Sequence, residues 1–162
     1  EVIDDTTALG SDAPRIKTHT SYGFATQVVI LDGNGRVERV VAAHDVGRAI
    51  NPMLLEGQVY GGVMMGLGYA LSEQVIMERG ENMNPNFRDY KILTARDVVP
   101  IAAPVLETHD KDGPYGAKGI GEPGCVPTAP AVANAIYDAV GVRMRDVPMT
   151  PERVLTALKS VR

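Results

Sequence analysis

The sequence predicts an α+β fold: a mixed sheet built from hairpins, with helices packed on it. Three observations carry this. A hairpin pattern occupies the first third, an apolar glycine-bearing helix follows it, and two more helices come late, separated by irregular extended pieces instead of a regular strand–helix alternation.

Residues 16–31 mix β-branched and aromatic types, and "DGNG" at 32–35 supplies residues that accept positive φ cheaply before "RVERVVAAHDV" alternates again. That is a hairpin signal. In "NPMLLEGQVYGGVMMGLGYALS", Asn51 is placed to cap a buried helix over 52–72, with Pro52 in its first turn. Each helix glycine costs about 1 kcal/mol relative to alanine, so close backbone approach is expected, with Gly57, Gly61 and Gly68 sharing one flat face. That side of the helix is expected to leave an apolar patch exposed. "QVIMERGENMN" reads as a strand entering a turn and "APVLETHD" as a second strand, while "NFRDYKILTARDVVP" is ambiguous. "VPTAPAVANAIYDAVG" predicts a helix with Thr128 as N-cap and Gly141 past its end. "VRMRDVPM" predicts a short strand, and "TPERVLTALKSVR" a helix capped by Thr150, with Pro151 first and basic residues in its last turn.

At 162 residues the chain suits one domain, placed at 15–162 after a poorly patterned segment 1–14. It starts without Met, carries no signal-peptide pattern in "EVIDD", and reads as a piece of a longer protein or a processed subunit. A net charge of −4 with no basic cluster argues against a nucleic-acid surface. No run of about twenty apolar residues is present to span a bilayer. The single cysteine, Cys125, excludes an internal disulfide and a cysteine-ligated metal cluster within this chain.

The densest local signal is "GPYGAKGIGEPG" at 113–124, with five glycines around Lys118 and Glu122. Lys118 is followed by Gly119, not by the Ser or Thr of a phosphate loop, and Gly116, Gly119 and Gly121 run in the reverse of the dinucleotide spacing. What remains is general: bare backbone lets a bulky group approach, and Pro123 pushes Glu122 toward extended geometry. From spacing alone Glu122 is a site carboxylate or a surface-loop one. His19, His44 and His109 lack metal-ligand spacing and read as core or surface residues. Cys125 reads as structural, without a neighbouring His or Lys to activate it, and Met64 and Met65 as core fillers.

Three segments in order resemble the molybdenum hydroxylases, the family of xanthine dehydrogenases, aldehyde oxidases and nicotinate dehydrogenases, in the C-terminal part of the molybdenum cofactor-binding subunit. "DVGRAINP" (45–52) resembles the family's Asp-x-Gly and Asn-Pro segment, "EGQVYGGVMMGLGYAL" (56–71) its glycine helix, and "GAKGIGEP" (116–123) its catalytic loop. The resemblance runs from about Arg15 to the end of the chain. It implies that Glu122 is the catalytic base, that Gln58 hydrogen-bonds the pterin, and that the main chain of Ala117, Lys118, Gly119, Ile120 and Gly121 lines the cofactor. No residue of this chain is implied as a direct metal ligand. The implied reaction is hydroxylation of an electron-poor carbon of an N-heteroaromatic or aldehyde substrate, with oxygen from water. The implied cofactor is molybdenum–molybdopterin, in some members as the cytosine dinucleotide; iron–sulfur clusters and FAD belong to partner domains or chains. The remaining molybdenum-subunit segments are implied partners, a cytoplasmic setting is expected, and the piece alone should be inactive. Leu93 stands where the family often has proline, and one extra residue precedes Pro100. The alternative is a non-catalytic binding or assembly domain of the same fold without cofactor.

Overall fold

A computed structural model describes Asp12 and residues 23–161. Strands β1 (Phe24–Leu31) and β2 (Val37–Asp45) form the expected antiparallel hairpin, with Val28 opposite Val41 and Val29 opposite Val40. Asp32 closes its turn: Oδ1 accepts the N–H groups of Asn34 and Arg36, both at 2.8 Å, and Gly35 takes φ +78°. The part of the expected first strand before residue 23 lies outside the described residues, as does His19.

Helix α1 (Pro52–Leu71) is capped by Asn51, whose Oδ1 accepts the Leu54 N–H at 3.1 Å. It buries Leu55, Val59, Val63, Leu67 and Ala70, a stripe at helical spacing. This stripe forms one buried core cluster with Val40 and Ala42 of β2, Val46 just beyond it, Val29 of β1, and Ala131, Val132 and Met149 from later in the chain. A two-residue hairpin, β3 (Met77–Glu78) and β4 (Glu81–Asn82), and a single helical turn α2 (Phe87–Tyr90) follow. The ambiguous stretch then turns at Thr94, whose N–H and hydroxyl both reach Asp97 Oδ2 at 2.7 Å.

The expected second strand over 103–110 is a strand only at β6 (Val105–Leu106), preceded by another short piece, β5 (Ile101–Ala102), and both run parallel to β2. β2 is therefore the central strand, and its C-terminal end sits beside the segment entering the glycine-rich loop. Helix α3 (Thr128–Val140) packs on β1 and α1, and α4 (Pro151–Val161) closes the chain with Arg153 N–H on the Thr150 hydroxyl at 3.4 Å.

Four expectations are corrected. Thr128 is not an N-cap: it is the first helical residue, and its hydroxyl is drawn inward to Gln27 Oε1 at 2.7 Å and the Gly124 carbonyl at 3.1 Å. Residues 142–149 form no strand; Met149 instead donates its N–H to the Ala70 carbonyl at the end of α1, at 2.6 Å. The flat face of α1 is not the one formed by 57, 61 and 68: a Cβ at Gly57 or Gly61 would meet nothing within 4 Å, and at Gly68 it would meet the Glu73 side chain. Close approach occurs at Gly62 and Gly66, where a Cβ would lie 2.9 Å from the Gly124 carbonyl carbon and 2.5 Å from Thr128 Cβ. Lastly, Met65 is exposed at the surface, and only Met64 packs on the core. Met65 joins Met53, Leu54, Tyr60 and Tyr69 in an exposed apolar surface of α1. Among the described residues no helix is long and apolar enough to cross a membrane.

Candidate functional site

The glycine-rich loop is attached to the fold by every element around it. At its entry Gly116 takes φ +82°, and Gly47, at φ +68°, lies so close that a Cβ there would sit 2.3 Å from the Gly116 carbonyl oxygen. Only glycine fits both the dihedral and the space at 47. Lys118 N–H donates to the Val46 carbonyl at 2.8 Å, continuing the pairing of β2 beyond its last strand residue.

The Lys118 ammonium turns back to Asp45. It lies 2.5 Å from Asp45 Oδ2 and donates to Thr108 Oγ1 at 2.7 Å, with the Phe24 ring centroid 5.1 Å away. Asp45 also accepts the Gly47 N–H at 3.0 Å and the Thr108 hydroxyl at 2.6 Å. The lysine bond, then the threonine hydroxyl, hold the Asp45 carboxyl well below the usual carboxylate range, against the opposing effect of desolvation.

Further along, Gln58 on α1 donates its amide to the Gly121 carbonyl. At the exit, Gln27 on β1 donates to the Gly124 carbonyl at 2.7 Å, and Thr128 reaches the same oxygen. Between these tethers Glu122 is exposed, and its side chain has no hydrogen-bond partner among the described residues. Its carbonyl accepts the Cys125 N–H at 2.9 Å, so the carboxylate heads a tight turn. Cys125 is half-buried; burial first, then the charges of Glu122 and Glu73, push its thiol up, away from an activated thiolate.

Beside Gly121 lies a hollow of about 410 Å³, bounded by Val46, Arg48, Gln58, Ala117, Ile120 and Gly121 among others. A Cβ at Gly121 would meet nothing within 4 Å, so the bare backbone faces outward there. The wall offers peptide groups and the Gln58 Oε1, a mixed set of donors and acceptors suited to the edge of a heterocycle. Among the described residues no group of three His, Cys, Asp or Glu could hold a metal ion.

Residues 5–99 match the model of the molybdopterin cofactor-binding domain. The chain belongs to this family. It is 40% identical over 120 residues to the putative xanthine dehydrogenase molybdenum-binding subunit of Escherichia coli, covering 73% of this chain and 16% of that protein. Among solved structures, quinoline 2-oxidoreductase from Pseudomonas putida superposes with a TM-score of 0.70 at 36% identity, over 76% of this chain and 16% of that one. The aldehyde oxidoreductase from Desulfovibrio desulfuricans gives 0.69 at 36%, over 75% and 13%. The chain thus spans about a sixth of the length of the curated relative it matches. It corresponds to a part of the molybdenum-binding subunit of the molybdenum hydroxylases, and the peptide groups and Gln58 amide lining the hollow have the chemistry to pair with the polar edge of such a cofactor.

The structure brings Gln58, Ala117, Lys118, Ile120 and Gly121 to that one hollow. Glu122 follows directly on Gly121, and Gly119 lies in the same loop. Two of the expected cofactor contacts are partly used within the chain: one Gln58 amide hydrogen goes to Gly121, and the Lys118 N–H and ammonium go to Val46 and Asp45. His44 is buried in the sheet, with Nδ1 3.0 Å from the Ala42 carbonyl, and His109 takes φ +44° beside Gly116, so neither gathers with metal-ligating partners among the described residues. Sequence reasoning missed Asp45, Thr108, Gln27 and Thr128 as the groups that fix the loop. Asp45 stood inside the recognised "DVGRAINP" segment, whereas Gln27 and Thr108 carried no local signal.

Proposed function

We propose that this chain is the C-terminal portion of a molybdenum hydroxylase subunit, with Glu122 as general base in the hydroxylation of an electron-poor carbon. The observation that carries the reading is an exposed, unpartnered carboxylate on a loop fixed at Lys118, Gly121 and Gly124 by three separate elements, next to a side-chain-free wall. A surface carboxylate without a task needs no such fixation.

When bound, the molybdenum–molybdopterin group supplies the Lewis acidity and the two-electron capacity that no side chain here has. Glu122 accepts the proton that water gives up as its oxygen passes to the substrate carbon. Pro123 holds the glutamate backbone away from helical geometry, and the Cys125 N–H fixes its carbonyl, so the backbone that presents the carboxylate is set before substrate arrives. The main chain of Ala117 to Gly121 would let the cofactor lie close, and Gln58, whose Nε2 donates to Gly121, would offer its Oε1 to the cofactor as an acceptor. The substrate is an N-heteroaromatic or an aldehyde, classes named by the xanthine, quinoline and aldehyde enzymes to which the chain is similar.

The remaining walls come from the rest of the subunit, and iron–sulfur and flavin partners take the electrons in a cytoplasmic complex. The exposed apolar surface of α1 supports this, because a face of this kind is normally covered. The chain alone is therefore inactive. In the complete enzyme, Glu122→Gln should abolish turnover while molybdenum content stays near normal. Near-normal turnover in that variant would overturn the assignment.

A further inference from the structure

Turnover by Glu122, on the reading above, depends on where residues 118–122 sit, and one polar cluster fixes where that stretch begins. We infer that Asp45, Thr108 and Lys118 form a positioning lock, in which the Lys118 ammonium is used within the fold to set the catalytic loop on the end of β2 and takes no part in binding cofactor or substrate.

Four observations support the lock. Lys118 Nζ lies on Asp45 Oδ2 and donates to Thr108 Oγ1 at 2.7 Å, and the Thr108 hydroxyl donates to the same Asp45 oxygen at 2.6 Å, closing a triangle. Only 10% of the Lys118 side chain and 13% of that of Asp45 remain exposed, unlike an ordinary surface pair whose long side chains stay mobile in water. The lysine stem runs over Gly47, where a Cβ would come within 2.9 Å of Lys118 Cγ, so its path is fixed sterically as well. Both flanking segments are joined to adjacent residues just beyond β2: His109 N–H to the Gly47 carbonyl at 3.0 Å, and Lys118 N–H to the Val46 carbonyl at 2.8 Å. Lysine at this position therefore does not offer a free point charge to an anionic group, although a lysine in a glycine loop ordinarily suggests one. The cation on the hollow without a partner among the described residues is Arg48.

A lock of this kind acts through Glu122, so its loss should lower kcat more than it raises KM. The test uses the complete molybdenum enzyme that contains this chain, with molybdenum content, urea unfolding and deuterium uptake of the peptide 113–126 measured beside kinetics. Lys118→Met keeps the stem and removes the charge; kcat should fall about 10- to 100-fold with KM changed by less than about threefold, the size expected for a misplacement of about 1 Å. Deuterium uptake of 113–126 should rise. The double variant Asp45→Asn/Lys118→Met no longer buries a lone carboxylate; its urea midpoint should return toward wild type while kcat stays low. Recovery of both would show that the pair only maintains the fold, and would overturn the proposal. Thr108→Val leaves the ion pair in place and serves where Lys118→Met does not assemble: it should raise uptake of the same peptide and lower kcat. Unchanged uptake and kcat in either variant would refute the lock. Glu122→Gln is measured in parallel. If it alone retains turnover, the assignment of the base fails, while the uptake data still decide on the lock.

Discussion

Replacing Gly66 with alanine tests the contact on which the loop's exit depends. Alanine gains about 1 kcal/mol of helix propensity at an interior position. Against this, the new Cβ would lie 2.5 Å from Thr128 Cβ, 2.6 Å from Thr128 Oγ1 and 3.0 Å from the Cys125 carbonyl oxygen, where carbon contacts need about 3.5 Å or more. Relief requires moving the first turn of α3 by about 1 Å, at an overpacking cost of about 1–3 kcal/mol. The same movement strains the Thr128 bonds to Gln27 and Gly124, each worth about 1 kcal/mol. The sum is a net loss of about 2 kcal/mol. Gly57→Ala, in the same helix with nothing within 4 Å of the new Cβ, should instead gain about 0.5–1 kcal/mol. In urea unfolding of the subunit, the two midpoints should therefore differ by about 1–2 M for an ordinary slope. Coincident midpoints, or Gly66→Ala above Gly57→Ala, would refute the packing of α1 against Gly124, Cys125 and Thr128.

Two further predictions use the titrating groups. Asp45 has its carboxyl lowered in the folded state, so its contribution is present above its unfolded value near 3.8 and is lost as pH falls through the folded value; the stability gap between wild type and Asp45→Asn, about 2 kcal/mol near neutrality, should narrow below about pH 4 in urea titrations. A pH-independent gap would remove the ion pair from the account. Burial first, then the Glu122 charge, push the Cys125 thiol up, so Glu122→Gln should speed its alkylation at pH 8, read by mass spectrometry, and an unchanged rate would separate the two groups.

The parts of the fold legible in the sequence were those set by neighbours in the chain. The "DGNG" turn, the Asn51 cap with Pro52, the Gly141 terminus of α3 and the Thr150–Pro151 start of α4 each depend on residues within four positions. Thr128 looked like a cap by the same local rule, and failed because Gln27, 101 residues away, captures its hydroxyl. The glycine face of α1 was misassigned because periodicity fixes which glycines share a side, and only the tertiary partner decides which side is pressed; that partner is Gly124 and Thr128, at Gly62 and Gly66. The candidate site divides the same way. Glu122 and Gln58 were found through resemblance, since their pattern alone left a surface-loop reading open. The Asp45 triangle was invisible because its members lie 63 and 73 residues apart along the chain.

That separation has a physical reason. Each of the five glycines in this twelve-residue loop loses more conformational freedom on ordering than another residue would, where backbone ordering costs about 1–2 kcal/mol per residue. Such a loop cannot hold itself, because it has few side chains with which to do so. Its order must come from donors and acceptors elsewhere that grip its main chain: Val46, Gln58, Gln27 and Thr128 do this at positions 118, 121 and 124. The same poverty of side chains leaves the space at Gly121 open and the Glu122 carboxylate without a partner among the described residues. Altering the carboxylate itself should consequently cost little stability, whereas altering Gln27 or Gly66, which pack against the loop's exit, should loosen the loop and lower kcat together. If Glu122→Gln were the variant that unfolded and Gln27→Ala the one with full turnover, the carboxylate would be a structural group and the loop a scaffold for something else.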